Sequence, residues 1–86
     1  MARKNELVEK PSWSDVMAKL EKGSLGHLSQ VRGAAAVGVA REMGDGYGVT
    51  SSDINHWIYD TVCFHFMTTD GEWPSGSALI DMLEGN

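Results

Sequence analysis

The chain has 86 residues, of which 42% are hydrophobic and 22% charged, and its formal net charge is −5. This length fits one domain, and the composition argues against intrinsic disorder. The single cysteine, Cys63, excludes an intrachain disulfide framework and a four-cysteine zinc site. No apolar run approaches the roughly 20 residues of a membrane span, and no signal-peptide block follows the first residues. We therefore expect a cytoplasmic protein with no membrane association.

The charge is divided along the chain. Residues 1–41 hold all seven Lys and Arg and four acids, a net charge of +3, whereas residues 42–86 hold eight acids and neither Lys nor Arg, a net charge of −8. Such a division bears on association and steering rather than on fold. It indicates either an acidic functional face or two solvated halves whose fields partly cancel.

The first half predicts a flexible basic arm over residues 1–10 and a single helical domain over residues 11–86. Ser12 to Asp15 has the form of a capping box, which predicts a helix over residues 12–22 that Gly23 ends. Ser24 is a candidate cap for a second helix that ends at Gly44.

The second helix carries a stripe of small residues. We expect Gly33 and Gly38 to permit close approach by another helix, and we place the contact stripe at Ala34/Gly38 and Ala35/Val39. The stripe can pack within the monomer or form the seam of a homodimer. A strand over residues 34–40 is the alternative, but the four alanines of this region disfavour it.

The second half predicts two more helices. Thr50 to Asp53 again has capping-box form and predicts a helix that runs to about residue 67. Within it, Ile54, Trp57, Ile58 and Val62 are expected to face the core, with Asn55, His56, Tyr59 and Asp60 opposite. A short β segment near residues 62–69 is the alternative. After a turn at residues 73–77, a short helix ends at Gly85. The fold class is therefore all-α, a compact bundle of about four short helices.

One spacing resembles a helix-turn-helix. Ala40, Gly44, Ile54 and Trp57 fill the roles of that motif if its turn carries four extra residues, Asp45 to Gly48. The resemblance implies a helix-turn-helix-like corner and a DNA-binding regulator. The outer side chains oppose that function, because acids on the second helix would repel phosphate.

Reactive groups are few. Asp53, His56 and Asp60 share one helix face and could hold a metal or orient a base, although a solvated face explains them equally well. Cys63 has no cation near it in the sequence to activate the thiol, so packing is its expected role. We expect no catalytic residue, no metal and no cofactor, and therefore a protein that is not an enzyme.

These observations favour a non-catalytic protein-binding module, an acidic inhibitor or adaptor that occupies a basic surface of a partner, such as a nucleic-acid-binding protein. In size, acidity and lack of catalytic motifs the chain resembles the small inhibitors of phages and mobile elements, including anti-CRISPR proteins. The alternative is a DNA-binding regulator. The predicted partner-binding residues are Asp45, Tyr47, Asp53, His56, Tyr59, Asp60, Asp70, Glu72 and Trp73.

Overall fold

The computed structural model describes residues 9–44 and 48–85, which form four α-helices and no strand. These helices are α1 (Trp13–Glu21), α2 (Leu28–Met43), α3 (Ser51–Thr68) and α4 (Gly76–Glu84). The predicted all-α bundle is confirmed, and the strand alternatives at residues 34–40 and 62–69 are wrong. Residues 1–8 of the predicted arm lie outside the described residues. None of the helices in the described ranges is long and apolar enough to cross a membrane.

Two of the helices begin at the predicted caps. The Asp53 backbone N–H donates to the Thr50 hydroxyl at 3.1 Å, and the Thr50 backbone N–H donates to the Asp53 carboxylate at 3.1 Å. This reciprocal pair is a complete capping box at the start of α3. At α1, the Asp15 backbone N–H donates to the Ser12 hydroxyl at 3.2 Å, but the Asp15 carboxylate makes no return bond to the Ser12 backbone, so the predicted capping box is only half formed.

Two other helix starts differ from the prediction. Ser24 does not cap α2, which begins at Leu28, because Gly26 has a φ of 108° that a helix does not accommodate. The backbone of Gly26 packs there against Gly76, a contact that no local pattern reveals. α4 begins two residues before the expected start, because Ser75 accepts a hydrogen bond from the backbone N–H of Ala78 at 3.1 Å.

α2 lies at the centre of the bundle and contacts α3 and α4, while α1 packs against α3. All four helices and the turn before α2 contribute fully buried side chains: Val16, Leu20, Leu25, Val31, Ile58, Val62, Leu79 and Leu83. Burial of each such side chain stabilises the fold by at most about 1.5–3 kcal/mol. The core is thus aliphatic, and the three tryptophans lie at its edge, packed against it but only half-buried.

The predicted contact stripe of α2 is confirmed, since Ala34, Ala35, Gly38 and Val39 are all buried. A Cβ atom built on Gly38 would lie 2.9 Å from the Leu83 backbone oxygen and 2.9 Å from Cζ2 of Trp57. Only a glycine therefore lets α3 and α4 approach α2 this closely, and the stripe packs within the monomer. The same role predicted for Gly33 is wrong, because a Cβ there would meet nothing within 4 Å.

The buried arc of α3 is wider than predicted. Ile58 and Val62 face the core as expected, but Cys63 and Phe66 are buried too. Asn55 and Tyr59 were expected on the opposite face and are half-buried instead. Tyr59 packs edge-on against Trp13 of α1, with ring centroids 6.4 Å apart.

The helix-turn-helix spacing is matched only in part. Gly44 ends α2, and Ile54 and Trp57 are half-buried on α3. Ala40 is exposed, so it does not make the inter-helix contact of the motif. Gly38 makes the close contact with Trp57 instead.

Candidate functional site

A groove lies where the C-terminal ends of α2 and α4 meet the outer face of α3. Its volume is about 570 Å³. We call it the Phe64 groove, and it is lined by Glu42, Trp57, Asp60, Thr61, Phe64, Met82 and Gly85. A smaller cavity of about 260 Å³ shares four of these residues and extends the groove towards Arg41 and Glu84.

The close helix contact described above fixes one wall of the groove. The Trp57 indole lies against Gly38, which also lies against the backbone of Leu83. Packed interiors resist displacement, so an indole in contact with backbone on this side has little room to move. The groove therefore has an aromatic wall that is backed by α2 at Gly38.

Two large apolar side chains are exposed on α3. Phe64 is 65% exposed and lies in the groove, whereas Met67 is 66% exposed and lies outside it. Aromatic side chains dominate the energetics of protein interfaces when they enter a partner's pocket. Phe64 is therefore the candidate anchor, and Met67 provides a matched exposed position for comparison.

The electrostatics of the groove favour a cation. Glu42 and Asp60 line it, and Glu84 lies in its extension. The C-terminal ends of α2 and α4 add partial negative charge, because the last carbonyl groups of a helix have no partner within the helix. Arg41, the nearby cation, donates from Nη1 to the backbone oxygen of Glu84 at 2.8 Å.

The other cations on the described helices are engaged elsewhere. Lys19 Nζ lies 5.4 Å from the centre of the Trp73 ring, and Arg32 Nη1 donates to Asn55 Oδ1 at 2.6 Å. Neither residue lines the groove. The acidic charge beside Phe64 is therefore not neutralised by either of them.

The predicted partner-binding residues of α3 lie in three places: the Phe64 groove, a separate cleft, and the capping box that holds Asp53. Asp60 faces the Phe64 groove. His56 and Tyr59 line a separate cleft of about 290 Å³ beside Trp13. His56 Nε2 lies 3.1 Å from Asp60 Oδ2, with both side chains largely exposed, so the pair bridges the two surfaces.

Asp53 has a structural task. The backbone N–H of Thr50, followed by its side chain, lowers the pKa of the Asp53 carboxyl by hydrogen bonding to the ionised form. A smaller contribution comes from the charge of His56. Replacement of Asp53 would therefore weaken the start of α3 as well as change the surface charge.

Tyr59 is held by its surroundings. The neighbouring Cys63 side chain, followed by partial burial, raises the pKa of the Tyr59 phenol. Cys63 is itself buried, which agrees with the packing role expected for it. Tyr59 is half-buried, so it presents only part of its ring to the cleft.

The predicted residues after α3 do not join the groove. Trp73 packs edge-on against buried Phe66, with ring centroids 4.8 Å apart, and its face is covered by Lys19. Asp70 and Glu72 are exposed in the turn that follows α3. Asp45 and Tyr47 lie outside the described residues.

Among the described residues, Asp60 is the one predicted binding residue in the lining of the groove, which the sequence otherwise did not single out: Glu42, Trp57, Thr61, Phe64, Met82 and Gly85. Trp57 and Phe64 are seven residues apart and so share a helix face with Asp60, a spacing that could have indicated a surface. The residues that α2 and α4 provide to the groove have no comparable spacing in the sequence that would indicate it.

Within residues 9–44 and 48–85, no group of three or more His, Cys, Asp or Glu side chains is arranged to hold a metal ion. Comparison with protein-family models, with curated proteins and with solved structures found no match for this chain.

Proposed function

We propose that the protein is a non-catalytic protein-binding module, an acidic inhibitor or adaptor that occupies a basic surface of its partner. The observation that carries this proposal is the exposed Phe64 ring in a groove lined by Glu42 and Asp60. An exposed aromatic anchor surrounded by charge of one sign combines binding energy with electrostatic steering.

The partner we propose is a cytoplasmic protein whose basic surface normally holds nucleic acid, as for the phage-type inhibitors that the chain resembles. Acidic groups then compete with phosphate for the same cations. The eight acids after residue 41, with no Lys or Arg among them, supply the required sign of charge.

A DNA-binding helix-turn-helix regulator is the alternative. It is favoured by the sequential pairing of α2 and α3, which contact each other. The side chains available to contact DNA support this alternative less well. Asn55 already accepts a hydrogen bond from Arg32, and the Asp53 carboxylate accepts one from Thr50. Asp60 would meet phosphate with like charge.

A charge reversal at Asp60 tests the proposal. The native-host partner is captured with the wild-type protein, and its binding is then measured for Asp60→Lys and for Asp81→Lys, an exposed acid of α4 outside the groove. We expect loss of binding for Asp60→Lys and retention for Asp81→Lys. Equal binding by all three proteins would contradict the acidic-surface proposal.

The DNA alternative is tested beside it with duplex DNA at low salt. Binding that weakens steeply as salt rises would favour the regulator. The absence of binding at low salt would remove that alternative.

A further inference from the structure

We propose that the Phe64 groove binds an arginine-bearing, partly apolar segment of the partner protein. The guanidinium lies between Glu42 and Asp60, and a neighbouring apolar side chain packs on Phe64. This inference rests on the proposed function, and it names the chemistry of the segment that the groove takes.

Charge complementarity selects a cation. Two carboxylates line the groove itself, and its extension, where the C-terminal ends of α2 and α4 converge, adds the Glu84 carboxylate and the Arg41 guanidinium, so the acids outnumber the cation by three to one. Helix C-terminal ends stabilise cations, and paired carboxylates do the same. An acidic or phosphorylated segment would be repelled by the helix ends and by the carboxylates.

The geometry favours arginine over lysine. A guanidinium presents five N–H donors in a plane, so it can serve two carboxylates and stack on an aromatic ring at once. The groove contains both kinds of partner, since Glu42 and Asp60 line it together with Trp57 and Phe64. Arg41 already makes one contact of this kind in the extension of the groove, where its guanidinium donates to the backbone oxygen of Glu84 at 2.8 Å.

The apolar part of the segment has its own contact surface. Phe64 is 65% exposed, and Met82 and Trp57 complete the apolar lining. Trp57 is held against Gly38, so its side of the groove is formed before the partner arrives. A preformed apolar surface avoids part of the ordering cost of binding.

The experiment is an NMR titration of the full chain with an acetylated and amidated nonapeptide that alternates arginine and leucine. Two peptides serve as comparisons, one with lysine and one with citrulline in place of arginine. The indole N–H signals of Trp13, Trp57 and Trp73 report on three different surfaces of the bundle. We expect saturable shifts at Trp57 and Phe64, strongest with arginine, weaker with lysine and lost with citrulline.

Two pairs of variants locate the site. Phe64→Ala should weaken arginine-peptide binding at least about five-fold, as for an interface anchor, whereas Met67→Ala should leave it unchanged. Asp60→Asn should weaken it about two- to five-fold, as for an exposed ion pair, whereas Asp81→Asn should not. Circular dichroism verifies that each variant is folded, and these four side chains are exposed or line the groove rather than the core.

Several outcomes would overturn the inference. These are equal binding of the citrulline peptide, equal binding of the lysine peptide, and shifts confined to Trp13 or Trp73. Sedimentation of the protein alone that shows a dimer dissociated by Phe64→Ala would make the groove an interface between copies. If the peptide does not bind but Asp60→Lys still abolishes partner capture, only this inference fails. If Asp60→Lys has no effect on capture, the proposed function fails as well.

Discussion

The substitution Gly38→Ala tests the packing on which the groove depends. An added Cβ would lie 2.9 Å from the Leu83 backbone oxygen, 2.9 Å from Cζ2 and 3.0 Å from Cε2 of Trp57, whereas ordinary contacts begin at 3.4 Å. The α4 backbone or the indole must therefore move by several tenths of an ångström. Overpacking of this kind costs about 1–3 kcal/mol.

Helix propensity opposes that cost, because alanine is favoured over glycine by about 0.8–1.0 kcal/mol within a helix. The net effect of Gly38→Ala is then a loss of about 1 kcal/mol, which lowers the melting temperature of a domain this small by about 4–8 °C. Gly33→Ala in the same helix gains the propensity term alone, since nothing lies within 4 Å of its added Cβ. The two variants should therefore change stability in opposite directions.

The assay is urea denaturation followed by far-UV circular dichroism and by tryptophan fluorescence. Both variants gain the same helix propensity, so the difference between their free energies of unfolding is the packing cost alone, about 1–3 kcal/mol. Suppose that Gly38→Ala is as stable as Gly33→Ala and that the unfolding free energy of both depends equally on urea concentration. Then α3 and α4 do not meet α2 at Gly38, and the reasoning is refuted.

Three further predictions concern helix starts and pH. Gly76→Ala should destabilise the fold by about 2 kcal/mol or more in urea denaturation, because its Cβ would lie 2.6 Å from Cα of Gly26, a backbone atom; unchanged stability would contradict the contact. Thr50→Ala should lose about 1 kcal/mol through the missing cap, measured the same way, while Thr50→Ser should retain most of it. Because the folded-state pKa of Asp53 is lowered, its contribution is present above the unfolded value and is lost as pH falls through the folded value. Stability between about pH 5 and about pH 2 should therefore fall less steeply in Asp53→Asn than in wild type; identical slopes would exclude the capping contribution.

Local chemistry made most of the fold predictable. The cap at Ser12 and the capping box at Thr50 depend on residues three apart, and the stripe around Gly38 is visible as a run of small residues. The start of α2 was not predictable, because it depends on the approach of Gly26 to Gly76, 50 positions along the chain. No local pattern carries that contact.

The candidate site was predictable only where one helix defines it. Asp60 lies on the outer face of α3, as its spacing from Asp53 and His56 indicated. Tyr59 was expected on the same face but is half-buried, because α1 docks there through Trp13. The groove also needs the ends of α2 and α4, and their convergence is set by tertiary packing rather than by any motif.

The most direct test of the central claim compares Phe64→Ala with Met67→Ala in binding to the partner purified from the native host. Both side chains are exposed to the same degree, 65% and 66%, and only Phe64 lines the groove. The account predicts that Phe64→Ala binds at least about five-fold more weakly than wild type while Met67→Ala binds as wild type does. Equal affinities for the two variants would contradict the assignment of the groove as the binding surface.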